Sequence, residues 1–373
     1  MRVRGGHLLA VHTCSRVSFL LSIGSGCRRM ELTGSMRATA RALVAAMAAT
    51  LAVSCSGGGE SPTIRVGAGN SAQSDLIARI YAQALARTGA HTAVVAHVGQ
   101  RAEYLAALDA DRVGLVGDDS GDLLTVLDST ATARLPDKNA ADAAVAKVIA
   151  AENAAAATEA PNGRTGLSAV QQPPNVADAL SRALPEGLST SDIADGTDLR
   201  PAFVLARAQA DRYPGALPDL APHCADLTVG IATGSELDPL RPAPDPQRDV
   251  LTPLREEYHC DITHYTIYPG DSELRKALAD GRIQAGVLTA PAALLPGGPG
   301  DLVPVADPSY AFRAHNIVPL FRKGALTGTQ IKKLNYVAGE LTTADLADLI
   351  GKVRDEHAAP DDLARGWLDE HNL

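Results

Sequence analysis

The chain of 373 residues carries 34 basic and 43 acidic side chains, a net charge of −9, and is 46% hydrophobic but only 3% aromatic. That acidic balance excludes a basic surface for nucleic acid. The length suffices for two lobes of ordinary domain size with a substantial core.

Near the front, Arg37 and Arg41 precede an apolar run from Ala42 to Val53, then Ser54, Cys55 and Ser56-Gly57-Gly58-Gly59. A positive segment, an apolar stretch and a small residue before the cut describe an export signal, too short to span a bilayer. A cysteine directly after it resembles a bacterial lipobox, although Ala52 stands where lipoboxes usually carry Leu. The resemblance implies cleavage before Cys55, a diacylglyceryl thioether on its sulfur and an extracytoplasmic protein tethered by lipid to the cell membrane. A second basic-apolar segment, Arg16 to Gly26, is not needed for export, so translation is expected to start at Met36. Residues 1–54 are set aside as the signal region and 55–62 as a lipid-anchored linker. Losing seven arginines and one glutamate with the signal leaves a mature chain at about −15. No later segment reaches a membrane-spanning length.

Thr63–Ala68 alternates as a strand and is broken by Gly69-Asn70-Ser71. Leu76, Ile77, Ile80, Tyr81, Ala84 and Leu85 then recur at helical spacing, with Ser71 as cap. Thr92–Val98 reads as a second strand, Arg101–Asp109 as a helix and Arg112–Gly117 as a third strand. The turn Asp118-Asp119-Ser120-Gly121 starts another helix. Alternation of this kind predicts an α/β fold with mainly parallel sheets, whose strand-end turns are where ligands sit. An Ala-rich tract, about 129–174, reads as an insertion with a surface helix. Val176–Leu184 resumes helical spacing. Ala202–Ala206 is a buried strand, Arg207–Tyr213 a helix, Leu227–Ile231 a strand, Pro239–Pro253 a loop and Leu254–Tyr258 a helix end. Strands at Ile262–Ile267, Ile283–Thr289, Leu302–Val305 and Ile317–Phe321, with a helix at Ser272–Ala279, lead to a helical tail over Leu326–Leu341, Thr343–Glu356 and Asp361–Glu370. In the tail, Ile331, Leu334, Val337 and Leu341 make one stripe.

Of five cysteines, Cys14 and Cys27 fall in the signal region and Cys55 is the lipid site, leaving Cys224 and Cys260 as an even pair in an oxidising compartment. A disulfide between them is expected. The alternative is a metal site of His259, Cys260 and His264, whose spacing lacks a second ligand pair; no metal and no cofactor are expected.

Several segments together resemble the substrate-binding proteins of osmoprotectant (glycine betaine, choline, carnitine) ABC importers. These are Ile64-Arg65-Val66-Gly67 with Asn70 and Gln73, the run Ala206–Tyr213 followed by Asp219-Leu220-Ala221-Pro222, and in the tail Asn316–Leu320, Leu341-Thr342-Thr343 and Trp367-Leu368. The resemblance covers nearly everything from Thr63 to Leu373 except the insertion. It implies a two-lobed, type II periplasmic-binding-protein-like clamshell that buries its ligand on closure. Lobe one would be 63–200, lobe two 201–315, and 316–373 a crossing plus helices returning to lobe one, with crossings near Arg200–Val204 and His315–Pro319. It also implies a monomer that delivers a small zwitterionic or amine solute to an ABC permease and ATPase complex.

In that family aromatic faces hold a quaternary ammonium by cation–π attraction, roughly 0.5–2 kcal/mol each. This chain departs from the pattern. Asp119, Pro201, Leu288 and His315 stand where cage tyrosines are expected, leaving Tyr268, Tyr310 and Phe312 as aromatics near cleft edges. Asp119, beside Ser120, either pairs with a cationic amine or is a solvated turn residue. His315 beside Asn316 either bonds a ligand carboxylate or holds the crossing strand. Asn70, Ser71 and Gln73 form a helix N-terminus suited to an anion, or Ser71 only caps it.

The chain lacks a G-x-S-x-G elbow, a P-loop, H-E-x-x-H and a G-x-G-x-x-G opening a helix. Gly67-Ala68-Gly69 has no third glycine. An enzyme is therefore not expected. A sensor or scaffold lipoprotein that keeps the binding-protein fold is the rival.

Overall fold

A strand, a glycine turn and a helix open the described chain. The strand β1 is Ile64–Gly67 and the helix α1 is Ala72–Ala86. Ser71 lies in the extended region, and its hydroxyl accepts from the Ser74 amide at 3.0 Å, so one of the helix's orphan donors is satisfied. Leu76, Ile77, Ile80, Tyr81, Ala84 and Leu85 are all fully buried, as their spacing predicts. The computed structural model describes residues 62–136, 174–234 and 236–373. Cys55, the signal region, nearly all of the linker and residues 137–173 of the insertion lie outside the described residues.

After α1 come β2 (Thr92–Val95), α2 (Arg101–Asp109), β3 (Leu115–Asp119) and α3 (Ser120–Leu127), then α4 (Val176–Ala183) and β4 (Leu188–Thr190). The chain crosses into β5 (Ala202–Ala206), β6 (Thr228–Ala232), α5 (Thr252–Tyr258), β7 (His264–Tyr268), α6 (Asp271–Ala279), β8 (Ala285–Leu288) and β9 (Leu302–Pro304). It returns through β10 (Ile317–Arg322) into α7 (Gly328–Glu340), α8 (Thr343–Asp355) and α9 (Pro360–Glu370).

The strands form two five-stranded sheets, β2-β1-β3-β10-β4 and β7-β6-β8-β5-β9. Both repeat one plan: three parallel strands, a reversed fourth, and a fifth antiparallel to the fourth. The reversed strand in each sheet, β10 or β5, is the one that arrives directly from the other lobe. The two crossings run side by side, the Leu199 amide donating to the His315 carbonyl and the Ala194 amide to that of Ile317, both at 2.8 Å.

Each sheet is packed on both faces. One face of the first sheet carries α1 and the tail helices, through Leu76, Ile80, Leu334, Leu346, Trp367 and Leu368. The other carries Tyr104, Leu108, Leu123 and Val176 of α2, α3 and α4. On one side of the second sheet Leu217, Leu220 and Leu254 pack on Val229 and Phe203, and on the other Leu274 and Leu278 pack on Val204 and Leu302. Cys224 and Cys260 are joined by a disulfide with a Cα–Cα distance of 5.3 Å. The bond consumes Cys260, which removes the thiolate that the alternative zinc site would need.

Several element boundaries differ from the sequence reading. Arg207–Ala210 is a single turn rather than a helix to Tyr213, since Pro214 disfavours helical backbone at the residue before it. The proline-rich loop 239–253 contains a π-helical turn, Pro246–Leu251, that runs into α5; Asp245 caps it by accepting from the Arg248 amide at 2.7 Å. Strand β3 starts later and runs through Asp118 and Asp119, because residues 111–114 make the turn, with Asp111 at φ 54°.

Candidate functional site

The end of β3 and the start of α3 bring three carboxylates together in the buried interior: Asp118, Asp119 and Asp122, each no more than 5% exposed. A strand that runs directly into a helix leaves no loop to carry these groups out to solvent. Asp119 is the N-cap of α3, its Oδ1 accepting from the Asp122 amide at 3.0 Å. Asp118 is taken by Arg101 at the start of α2, whose Nη2 and Nε donate to Asp118 Oδ1 at 2.9 and 3.1 Å.

Two groups from elsewhere complete the cluster. His315, on the returning crossing, donates Nδ1–H to Asp119 Oδ1 at 2.7 Å and lies 3.6 Å from Asp122 Oδ1. Arg241, in the loop that follows β6, places Nη2 3.2 Å from Asp119 Oδ2 and Nε 3.6 Å from Asp122 Oδ2. Its Nη1 donates to the carbonyls of Leu199 (2.8 Å) and Thr289. The site therefore draws on the first sheet, a crossing and a loop of the second lobe.

The carboxyls respond in opposite senses. Burial alone would raise Asp119, but His315 and Arg241 bring its carboxyl down to about 2. Burial and repulsion from Asp119 push Asp122 up to about 6. Burial also raises Asp238, which accepts from the Leu240 amide at 2.9 Å. Arg241 is held protonated: burial opposes its charge, and Asp122, Asp119 and Asp238 outweigh that. Asp119, Asp122 and His315 hold ligand atoms within 4.8 Å of one another, a spacing that suits a metal ion. Arg241 already supplies positive charge to both carboxylates.

Beside the cluster lies a cavity of about 20 Å³ lined by Gln73, Leu237, Asp238, Arg241, Thr289 and Ile350, among others. It is bounded by α1 and α8 on one side and by the segments after β6 and β8 on the other.

The residues singled out from the sequence are distributed unevenly around this cavity. Asp119, His315 and Gln73 face the cluster or the cavity. Ser71 caps α1, whereas Asn70 is exposed, its amide donating to the Gly99 carbonyl at 3.0 Å. Ser120 and Asn316 brace the crossing against α3: the Asn316 amide donates to Ser120 Oγ at 3.1 Å, and the Asn316 side-chain amide donates to the Thr197 carbonyl. Leu288 and Phe312 point into the two cores of the second lobe. Tyr268 lays its ring against Gly230 on β6. Pro201 is half-buried on the first crossing, and the Tyr310 ring carries the Arg200 guanidinium 3.8 Å from its centroid.

Sequence reasoning missed Arg101, Asp122 and Arg241. Asp122 had a signal, lying one turn from Asp119 on the same helix; Arg101 had only its place at the start of a helix read from the sequence. Arg241 had none, since an arginine among Pro239, Pro242 and Pro244 reads as a solvated loop residue.

Two sheets of one plan, two crossings and a charged site between the lobes define a two-lobed, type II periplasmic-binding-protein-like fold. The resemblance read from the sequence holds: residues 246–370 match the family described as the substrate-binding domain of ABC-type glycine betaine transport systems. That is a family of binding proteins, not of enzymes. Among solved structures, the chain is similar to a glycine betaine/carnitine/choline ABC transporter protein, with 15% identity, a TM-score of 0.59, and 84% of this chain and 98% of that one covered. It is also similar to apo YehZ from Escherichia coli, with 14% identity, a TM-score of 0.55 and coverage of 83% and 99%. No curated protein sequence matches the chain.

Proposed function

We propose that this chain is an extracytoplasmic solute-binding lipoprotein that delivers a small zwitterionic or amine solute of the osmoprotectant class to an ABC importer. The observation that carries the reading is the buried cluster Asp119, Asp122 and His315 beside an interlobe cavity, at the end of β3, where open α/β sheets take their ligands. The match over residues 246–370 supports the transport setting. The partners are a permease and ATPase complex and the membrane, reached through a lipid on Cys55, with the protein a monomer and no role in nucleic-acid binding. Lobe one is taken as 63–200, lobe two as 201–315, and 316–373 as the return.

The test is a thermal-shift panel of glycine betaine, choline, carnitine, proline and small amines on the folded chain. A rise in melting temperature with one of them is expected. Flat curves across the panel would sink the importer reading. The anchor is tested separately: fatty-acid labelling in a lipidating bacterial host is expected on the native chain and lost in Cys55→Ser. A second reading, a sensor or scaffold lipoprotein of the same fold, is favoured by one feature. None of the cavity residues named above is aromatic.

A further inference from the structure

A cavity of about 20 Å³ has room for about one water. Small-molecule sites usually enclose about 300 Å³ or more. A solute can therefore enter only if something between the lobes moves.

What stands between the lobes is the loop 236–245. It is fastened to the second lobe by Glu236, whose carboxylate accepts from the Ser272 amide at 3.0 Å. Its middle reaches into the first lobe. Leu240 is 9% exposed and sits against Gly69, where a Cβ would come within 2.8 Å of Leu240 Cδ1. The Leu240 carbonyl accepts from Arg101 Nη1 at 2.9 Å. Arg241 then extends into the carboxylate cluster.

Every partner of the Arg241 guanidinium is an acceptor: Asp119 Oδ2, Asp122 Oδ2 and the carbonyls of Leu199 and Thr289. Such a shell suits a cation that carries N–H donors. It has nothing to offer a carboxylate, and a quaternary ammonium would leave its acceptors unmatched. The charge count points the same way. Arg101 is engaged by Asp118 through two nitrogens, so removing Arg241 leaves the buried Asp119 and Asp122 with the His315 ring, 2.7 Å from Asp119 and 3.6 Å from Asp122, and one distant guanidinium contact, 3.5 Å from Asp122. Two buried carboxylates sharing one imidazole favour a second cation. Neither Asp119 nor Arg241 lies within residues 246–370, so the family match says nothing about the pair.

We propose that the interlobe site recognises a guanidinium or primary-ammonium group, and that Arg241 is its built-in occupant, which a solute displaces together with the 236–245 loop. The inference rests on the solute-binding reading above and narrows its solute to a cation with N–H donors. It makes Arg241 an internal latch. The lobes are joined by one of the chain's own side chains until a competing cation arrives.

The test compares the full chain with Arg241→Ala, using methylguanidinium as probe and neutral methylurea as its isosteric control. Calorimetry is expected to give at least tenfold tighter methylguanidinium binding to Arg241→Ala than to wild type, no matching response to methylurea, and loss of the response when Asp119→Asn is added. Small-angle scattering is expected to give a larger radius of gyration for Arg241→Ala, reversed by methylguanidinium. Equal affinity in wild type and variant, or an equal response to methylurea, would overturn the proposal. Should Arg241→Ala fail to fold, Leu240→Ser loosens the same loop with every charge in place. It should tighten methylguanidinium binding several-fold, and no change overturns the latch. The two readings fail separately. A wild-type chain that binds glycine betaine with an affinity unmoved by Arg241→Ala keeps the solute reading and loses the latch. A variant that closes on methylguanidinium beside a wild type indifferent to every osmolyte keeps the latch and loses the importer.

Discussion

Asp119 and Asp122 are neighbours on one helix turn, equally buried, and the structure assigns them opposite energetic signs. Asp119 accepts from His315, Arg241 and the Asp122 amide, so its ionised form is the stable one. Replacing it by asparagine keeps a capping oxygen but removes the charge that Arg241 and His315 face. Breaking a buried pair from one side costs about 3 kcal/mol or more. Asp122 is the converse: its carboxyl is displaced from 3.8 to about 6 by burial and by Asp119, with Arg241, His315 and Arg101 only partly offsetting them. A group whose folded pKa is raised stabilises the fold while protonated, and that contribution is lost as pH rises through about 6. The displacement corresponds to at most about 3 kcal/mol. Asp122→Asn is therefore expected to gain on wild type between pH 4 and pH 7, by up to about 3 kcal/mol, and to be neutral or stabilising at pH 7. Asp119→Asn is expected to be destabilised throughout that range, because the Asp119 contribution fades only below about pH 4. Urea unfolding of the three proteins at half-unit pH steps measures both. A pH-independent gap between Asp122→Asn and wild type, or a larger loss at pH 7 for Asp122→Asn than for Asp119→Asn, would refute the reasoning.

Further tests follow from the packing. Replacing both Cys224 and Cys260 by serine removes a bridge of sequence separation 36 and is expected to cost about 4 kcal/mol, read as a lower urea midpoint. Gly121→Ala would set a Cβ 2.5 Å from the Ala314 carbonyl oxygen and 3.0 Å from the His315 ring, so a loss of about 1–3 kcal/mol is expected in chemical unfolding. An unchanged midpoint would mean that the crossing is less closely seated on α3. Gly69→Val should unseat Leu240 and raise proteolysis within 236–245 several-fold; equal cleavage rates would argue against a seated loop.

Where local signals existed, the sequence was sufficient. The glycine turn and Ser71 placed the start of α1, and the helix over Arg101–Asp109 was read to the residue, because caps and apolar spacing are local properties. Strand β4 is only three residues long, too short for alternation to register. Asp118 and Asp119 looked like a turn because two consecutive carboxylates contradict a buried strand; what makes the strand possible is Arg101, His315 and Arg241, distant in the chain. Leu288 was placed at the cleft by the family resemblance and Phe312 as an aromatic near a cleft edge, and both pack into core faces. Arg241 lies 122 residues from Asp119, so only the fold could pair them.

The non-aromatic lining of the cavity and the presence of Arg241 have one physical explanation. A cage works by desolvating a cation that cannot donate hydrogen bonds, and it needs several ring faces. This chain is 3% aromatic, and its Tyr310 ring is already covered by Arg200. Carboxylates in the same interior act through charge and directed acceptance, which is stronger per contact but must never be left unpaired. With Arg241 withdrawn, Asp119 and Asp122 would share only His315 and a distant Arg101 contact, an arrangement that leaves buried negative charge undercompensated. A cation tethered to the opposite lobe removes that penalty, and it does so only when the lobes approach. A site built from carboxylates rather than rings thus favours a resident such as Arg241, which ties the chemistry of recognition to the closing of the two lobes.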